Sequence, residues 1–95
     1  MGGWVYFMTN THNNVLYIGV TSDLEKRVWG HKTGVKKDCF THKYNCHKLV
    51  HYETFGEIKL AIAREKQLKN WQRNWKNELV DKENPRWLDL SADWQ

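Results

Sequence analysis

The sequence predicts an α+β domain in which helices cover a small sheet, and three observations predict it. Short β-branched and aromatic runs at positions 4–8, 15–20 and 48–53 read as strands. Apolar residues recur three and four apart after Ser22 and, over a longer stretch, after Glu57, which reads as helix. The order strand, strand, helix, strand, helices suits helices gathered on one small sheet, and 95 residues allow one domain.

Trp4-Val5-Tyr6-Phe7-Met8 is the first strand and Val15-Leu16-Tyr17-Ile18-Gly19-Val20 the second. Between them Thr9-Asn10-Thr11-His12-Asn13-Asn14 is turn-forming throughout, so the two make a hairpin. With Tyr6 placed opposite Tyr17, both phenols point to the same face of the sheet. Gly19 is expected to end the second strand at a close backbone approach. Ser22-Asp23-Leu24-Glu25 fits a capping box, Ser22 capping and Glu25 reaching back. The helix that follows carries Leu24, Arg27, Val28 and His31 on one inward face. Lys32 to Tyr44 reads as a basic loop, Lys48 to Glu53 as the third strand, and Phe55-Gly56 as its close. A helical pattern then runs from Glu57 to about Val80, before a short Pro85-Arg86-Trp87-Leu88 segment packed by its rings.

Composition narrows the function. The chain is 40% hydrophobic and 27% charged, so it is neither disordered nor fibrous, and no apolar run approaches a membrane span of about 18 residues. The N-terminus lacks the features of a secretory signal, so the expected location is the cytoplasm. Aromatics reach 14%, with six tryptophans, and large rings are expected to supply much of a small core. Charge is unevenly spread. From Lys26 to Lys48 seven Lys/Arg face one acid, Asp38, and from Lys59 to Lys76 six face one, Glu65. From Asn77 onward acids prevail. A basic body with an acidic tail suits a polyanion, with nucleic acid the first candidate; a solvated basic surface is the plainer reading.

Cys39 and Cys46 are too few for a disulfide framework. With His42, His47 and His51 nearby a zinc site has to be weighed, but adjacent Cys46 and His47 cannot easily aim at one ion, and reduced, partly buried thiols are expected.

The long helical pattern poses a sharper question. Ile58, Ala61, Ile62, Leu68, Gln72, Trp75 and Leu79 form its stripe, and Glu65 falls in the middle of it. A carboxylate there is costly unless it is paired, with Arg27, Arg64 or Lys69, or ligates a metal. Inward Arg27, His31 and Glu65 beside two same-face tyrosines are more polar groups than a small core holds without a site. A lone carboxylate suits a hard cation such as Mg²⁺, Arg stabilises charge on a phosphodiester, and a tyrosine beside a basic group can take a proton from water. Together they describe phosphodiester hydrolysis.

The spacing also resembles a known family. Trp4-Val5-Tyr6 stands where GIY-YIG nucleases carry their first motif, and Tyr17-Ile18-Gly19 matches the second letter for letter. The resemblance continues through Thr21 to Arg27, His31, and Ala63-Arg64-Glu65-Lys66-Gln67-Leu68-Lys69, covering about residues 4 to 80 in order. The chain looks like a small stand-alone member, similar to the N-terminal nuclease domain of the excinuclease, with DNA repair as the implied setting. The resemblance implies a three-stranded antiparallel sheet flanked by helices and an endonuclease using one divalent cation, Mg²⁺ or Mn²⁺. It implies that Tyr6 and Tyr17 supply the general base and the group positioning water or phosphate, with His31 assisting. Arg27 would stabilise the transition state, Glu65 would bind the metal, and Asn77 would match an asparagine some members carry. Trp4 in place of the motif glycine, and Val20 where some members hold lysine, are departures.

The leading expectation is a metal-dependent DNA endonuclease. A nucleic-acid-binding domain with weak turnover is the alternative, and a basic module acting through its tryptophans a third. Lys26, Lys32, Lys36, Lys37, Lys43 and Lys69 are the expected nucleic-acid contacts, with target choice left to a protein partner. One structural demand follows. Glu65 and Asn77 are twelve residues apart, about 18 Å along an unbroken helix and about 120° apart around it, so sharing a site requires a break. The expected place is Gln72-Arg73-Asn74, with Trp71 and Trp75 packing the corner.

Overall fold

The first strand is apolar on both faces, and the fold uses both. The computed structural model describes residues 2–33 and 43–94. β1 (Gly3–Thr9) lies at the centre of a three-stranded antiparallel sheet, between β2 (Leu16–Thr21) and β3 (Lys48–Phe55). Val5 and Phe7 face one way, into a cluster with Ile18, Val50, Ala61, Leu68 and Val80. Tyr6 and Met8 face the other way, into a cluster with Leu24, Val28, Cys46 and Leu49. A central strand buried on both sides needs no polar alternation, which is why its sequence reads as one apolar run. Between Phe7 and Met8 the pairing with β3 shifts, and Val50 is left without a partner of its own.

Helix α1 (Leu24–Thr33) supplies Leu24 and Val28 to the Tyr6 side. Helices α2 (Ile58–Lys69) and α3 (Arg73–Glu83) supply Ala61, Leu68 and Val80 to the Phe7 side. This is the expected α+β arrangement of a small antiparallel sheet flanked by helices. The hairpin turn is held by Asn10, whose Oδ1 accepts from the backbone N–H of Asn14 and Val15, while Asn13 takes a left-handed φ of 58°.

Four local expectations are corrected. Asp23, not Ser22, caps α1: its Oδ1 accepts from the Lys26 N–H at 3.2 Å, while Thr21 Oγ1 accepts from the Asp23 N–H. Gly19 does not end β2, which runs on to Thr21. The long helical pattern does break, but at Asn70–Gln72, so Arg73 and Asn74 already belong to the first turn of α3. Trp71 sits in the break, where it packs against the Phe7-side core and meets Trp75 edge-on, with centroids 6.0 Å apart. The single stripe fails with the break, leaving Ile62, Gln72 and Trp75 exposed while Ala61, Leu68 and Val80 are buried.

The acidic C-terminal segment closes the fold. Asp89 pairs with Lys32 and accepts from the Leu49 N–H, and Asn84 Nδ2 donates to the carbonyls of Val50 and Leu88. Among the described residues no helix is long and apolar enough to cross a membrane.

Candidate active site

Tyr6 is paired across the ladder with Gly19, and Tyr17 with Met8. The tyrosines are therefore offset by two residues rather than opposite each other. Because the side-chain period of a strand is two, an offset of two keeps both phenols on the same face. Their ring centroids lie 6.1 Å apart. His31, one helical turn beyond Val28, reaches into the same place. Its Nε2 is 2.9 Å from Tyr6 Oη, and its ring centroid is 5.6 Å from that of Tyr6 and 5.4 Å from that of Tyr17.

Burial separates the two tyrosines. Tyr6 is 1% exposed, whereas Tyr17 is half-buried. Burial holds the Tyr6 phenol far above its ordinary range, with the Tyr17 phenol adding to the effect by charge and by a side-chain hydrogen bond. A phenol that keeps its proton donates it, and the Tyr17 oxygen and His31 Nε2 are the two partners within reach. Arg27 opposes the upward shift and Glu65 adds to it, so both lie close enough for their charge to be felt at Tyr6. Two tyrosines, a histidine, an arginine and a carboxylate from β1, β2, α1 and α2 thus converge.

Arg27 does not point inward as expected; it is exposed. Leu24, Val28 and His31 define the buried line of α1, and at 100° per residue Arg27 sits about 60° to one side, where its stem can follow the surface and its guanidinium reach the rim. Glu65 is largely buried, its side chain 15% exposed, and of the three partners weighed for it Lys69 is the one present, with Nζ 3.5 Å from Oε2. Arg64 is spoken for elsewhere. Its guanidinium pairs with Glu53, which also accepts from His51 Nε2, and it lies over the Trp71 ring. The His51 hydrogen bond, opposed by burial and assisted by Arg64, holds the Glu53 carboxyl down to about 2.

Asn77 lies on α3, its Oδ1 accepting from Arg73 Nε at 2.8 Å. Arg73 also donates to the carbonyls of Asn13 and Asn14, tying the start of α3 to the β1–β2 turn. Lys76 is held below its ordinary range by burial and by the nearby charges of Arg73 and Lys69. Lys69, Arg73 and Lys76 therefore form a cationic corner beside Glu65 and Asn77. Sequence reasoning misses Arg73 and Lys76 although they belong to its basic stretch; their i+4 and i+7 spacing from Lys69, which sets all three on one helical face, is the signal that could have found them.

The other expected contacts are scattered. Lys26 is exposed and Lys43 lies over the Tyr44 ring. Lys32 is paired with Asp89. Lys36 and Lys37, with Cys39 and His42, lie outside the described residues. Cys46 is buried and its thiol pushed up by burial, and His47 Nδ1 bonds the Lys32 carbonyl. Among the described residues no three His, Cys, Asp or Glu side chains gather to hold a metal. Glu65 would be a lone carboxylate ligand, which suits a hard cation that keeps most of its shell as water and phosphate oxygens.

Comparison with known proteins gives related sequences and a related fold. The chain is 31% identical over 75 residues to a UPF0213 protein of Haloquadratum walsbyi, covering 79% of this chain and 83% of that one. It is 30% identical over 93 residues to a UPF0213 protein of Aeromonas salmonicida, covering 98% and 67%. Its fold is similar to the solution NMR structure of a UPF0213 protein from Bacillus halodurans, with a TM-score of 0.58, 24% identity and coverage of 92% and 90%. The GIY-YIG catalytic domain matches residues 2–78, which include both tyrosines, Arg27, His31, Glu65 and Asn77. With that match, and a relative 31% identical over 79% of the chain, the chain belongs to the GIY-YIG nuclease family.

Proposed function

We propose that this protein is a divalent-metal-dependent endonuclease that hydrolyses DNA phosphodiester bonds. The observation that carries the reading is the hydrogen-bonded run from half-buried Tyr17 through buried Tyr6 to His31, with Arg27 and Glu65 at its margin. Tyr17 is the member that can touch substrate. As water attacks phosphorus, the Tyr6 hydroxyl turns to His31 Nε2 and gives its proton up there, the Tyr17 proton passes to Tyr6, and the water proton passes to the Tyr17 oxygen. No phenolate has to form in the buried position, which the raised Tyr6 would resist. Arg27 at the rim donates to the phosphoryl oxygens as charge grows on them. Glu65 would hold Mg²⁺ or Mn²⁺, which supplies further charge neutralisation at the phosphate when bound. Lys69, Arg73 and Lys76 take neighbouring phosphates, and Asn77 steadies Arg73.

One observation favours a second reading, a nucleic-acid-binding domain with little turnover. Lys69 already sits 3.5 Å from the proposed metal ligand. Incubating supercoiled plasmid and branched DNA with Mg²⁺ or Mn²⁺ separates the two. Nicking by wild type that Glu65→Ala abolishes supports the nuclease. Tight binding with equal, negligible cleavage by both supports the binding domain.

A further inference from the structure

On the α1 side of the sheet, one side-chain row from Tyr6, the surface opens into a cavity of about 230 Å³. It is lined by Trp4, Asp23, Leu24, Glu25, Tyr52 and Trp94. The ladder explains its position. Trp4 precedes Tyr6 by two residues on the same face of β1, and Tyr52 is the β3 residue paired directly with Tyr6. Trp4 packs in part against the Tyr6-side core, while Tyr52 and Trp94 keep 39% and 36% of their surface exposed. They meet edge-on, with centroids 6.4 Å apart. Asp23 and Glu25 are both exposed; Asp23 uses one oxygen to cap α1, and Glu25 makes no ion pair among the described residues.

Aromatic walls with carboxylates at the mouth accept a flat ring that carries N–H groups, and they repel phosphate. Stacking on Trp or Tyr is open to every base, and a carboxylate accepts from an exocyclic amine. Thymine and uracil set their one ring N–H between two carbonyl oxygens, which a carboxylate repels. A cationic group would also suit aromatic faces. A chain of net charge +4 repels free cations and gathers polyanions, however, and the cavity lies one side-chain row from Tyr6 of the proposed site.

We propose that this cavity receives one unpaired, amino-bearing base of the substrate strand, stacked on Trp4 and Trp94 and read by Asp23 or Glu25. The proposal rests on the nuclease reading and deepens it: the strand enters with one base withdrawn from the stack next to the bond to be cut. Fully paired DNA would have to extrude that base first.

The test is binding of labelled thymidine hexamers, without metal, against hexamers carrying one cytidine at each position in turn. Wild type should bind the hexamer with cytidine in one register several-fold tighter than the all-thymidine strand. Trp94→Ala should weaken every hexamer by about five- to a hundred-fold, the range spanned by loss of one stacked base. Asp23→Asn with Glu25→Gln keeps a capping side chain and should erase the cytidine preference alone. Unchanged affinity in Trp94→Ala, a preference that survives the carboxamide pair, or displacement of the hexamer by tetramethylammonium at constant ionic strength would each overturn the proposal. Cleavage of the same hexamers with Mg²⁺ distinguishes the two levels. If wild type cuts, Glu65→Ala does not, and the cavity variants bind as wild type, the base pocket fails and the nuclease stands. If wild type neither binds nor cuts any of the DNAs, both fail.

Discussion

Gly19 pairs with Tyr6 across the β1–β2 ladder, and the tyrosine ring occupies the space a Gly19 side chain would take. A Cβ built there would stand 2.5 Å from Tyr6 Oη and 2.6 Å from Cζ. Tyr6 is buried and bonded to His31, so its ring has no free direction in which to yield. Gly19→Ala should therefore destabilise the fold by about 1–3 kcal/mol, as overpacking of a tight core does. It should also displace the phenol from His31 and depress cleavage. Gly30→Ala is the control, since a Cβ at this α1 position meets nothing within 4 Å. It should be neutral or slightly stabilising. Urea unfolding of both variants decides the point, and a Gly19→Ala protein as stable as wild type would mean that the ring can move aside.

The proton run predicts non-additive losses. Tyr17→Phe and Tyr6→Phe should each lower kcat by about 10²–10⁴. The second substitution should cost little once the first is made, because the two hydroxyls act in series. Single-turnover cleavage rates of the two single variants and the double variant measure this. Losses that simply multiply would place the tyrosines in separate roles.

Arg27 should act on the transition state more than on binding. Arg27→Ala is expected to reduce kcat by about 10²–10³ with DNA affinity nearly unchanged, since the residue is exposed and carries no core packing. Matched losses of affinity and rate would assign Arg27 to ordinary backbone contact.

The Glu53 cluster sets an acid limit on stability. Its carboxyl lies at about 2 in the folded protein, against 4.5 as the ordinary value. A depressed acid stabilises the fold above the unfolded value, and that contribution is lost as pH falls from about 4.5 towards 2. The amount at neutral pH is of order 3 kcal/mol. Glu53→Gln should be less stable at pH 7 and lose less than wild type on acidification. Equal acid sensitivity of the two proteins, followed by thermal unfolding, would remove Glu53 from that role.

The cationic corner predicts the salt dependence of DNA binding. Each phosphate contact adds about 0.7–0.9 to the slope of log affinity against log salt, so Lys69→Gln and Lys76→Gln should each lower it by roughly that much. Arg73→Gln should do the same while loosening the β1–β2 turn, whose Asn13 and Asn14 carbonyls it holds. A slope unchanged in all three would leave the corner a solvated surface.

Much of this protein is readable in sequence because it depends on local period. The hairpin follows from two β-rich runs around Asn-rich turn residues. The shared face of Tyr6 and Tyr17 survives the error in their register, since a shift of two residues restores the same side of the sheet. Glu65 stands out as a carboxylate on an apolar stripe whether or not the helix is continuous.

What tertiary structure alone decides are quantities that period cannot encode. The register that sets Gly19 under Tyr6 comes from packing of both sheet faces at once. Spacing places Arg27 inside, but a 60° offset from the buried line is resolved only by how α1 settles on the sheet. The helix breaks at Asn70–Gln72, where Trp71 packs on a core built from residues far away in the chain. Lys32 is neutralised by Asp89, 57 positions along, and the Trp4–Tyr52–Trp94 cavity joins three distant segments. Local sequence fixes which way a side chain leaves its own helix or strand; which distant group it meets depends on the free energy of burying the whole chain.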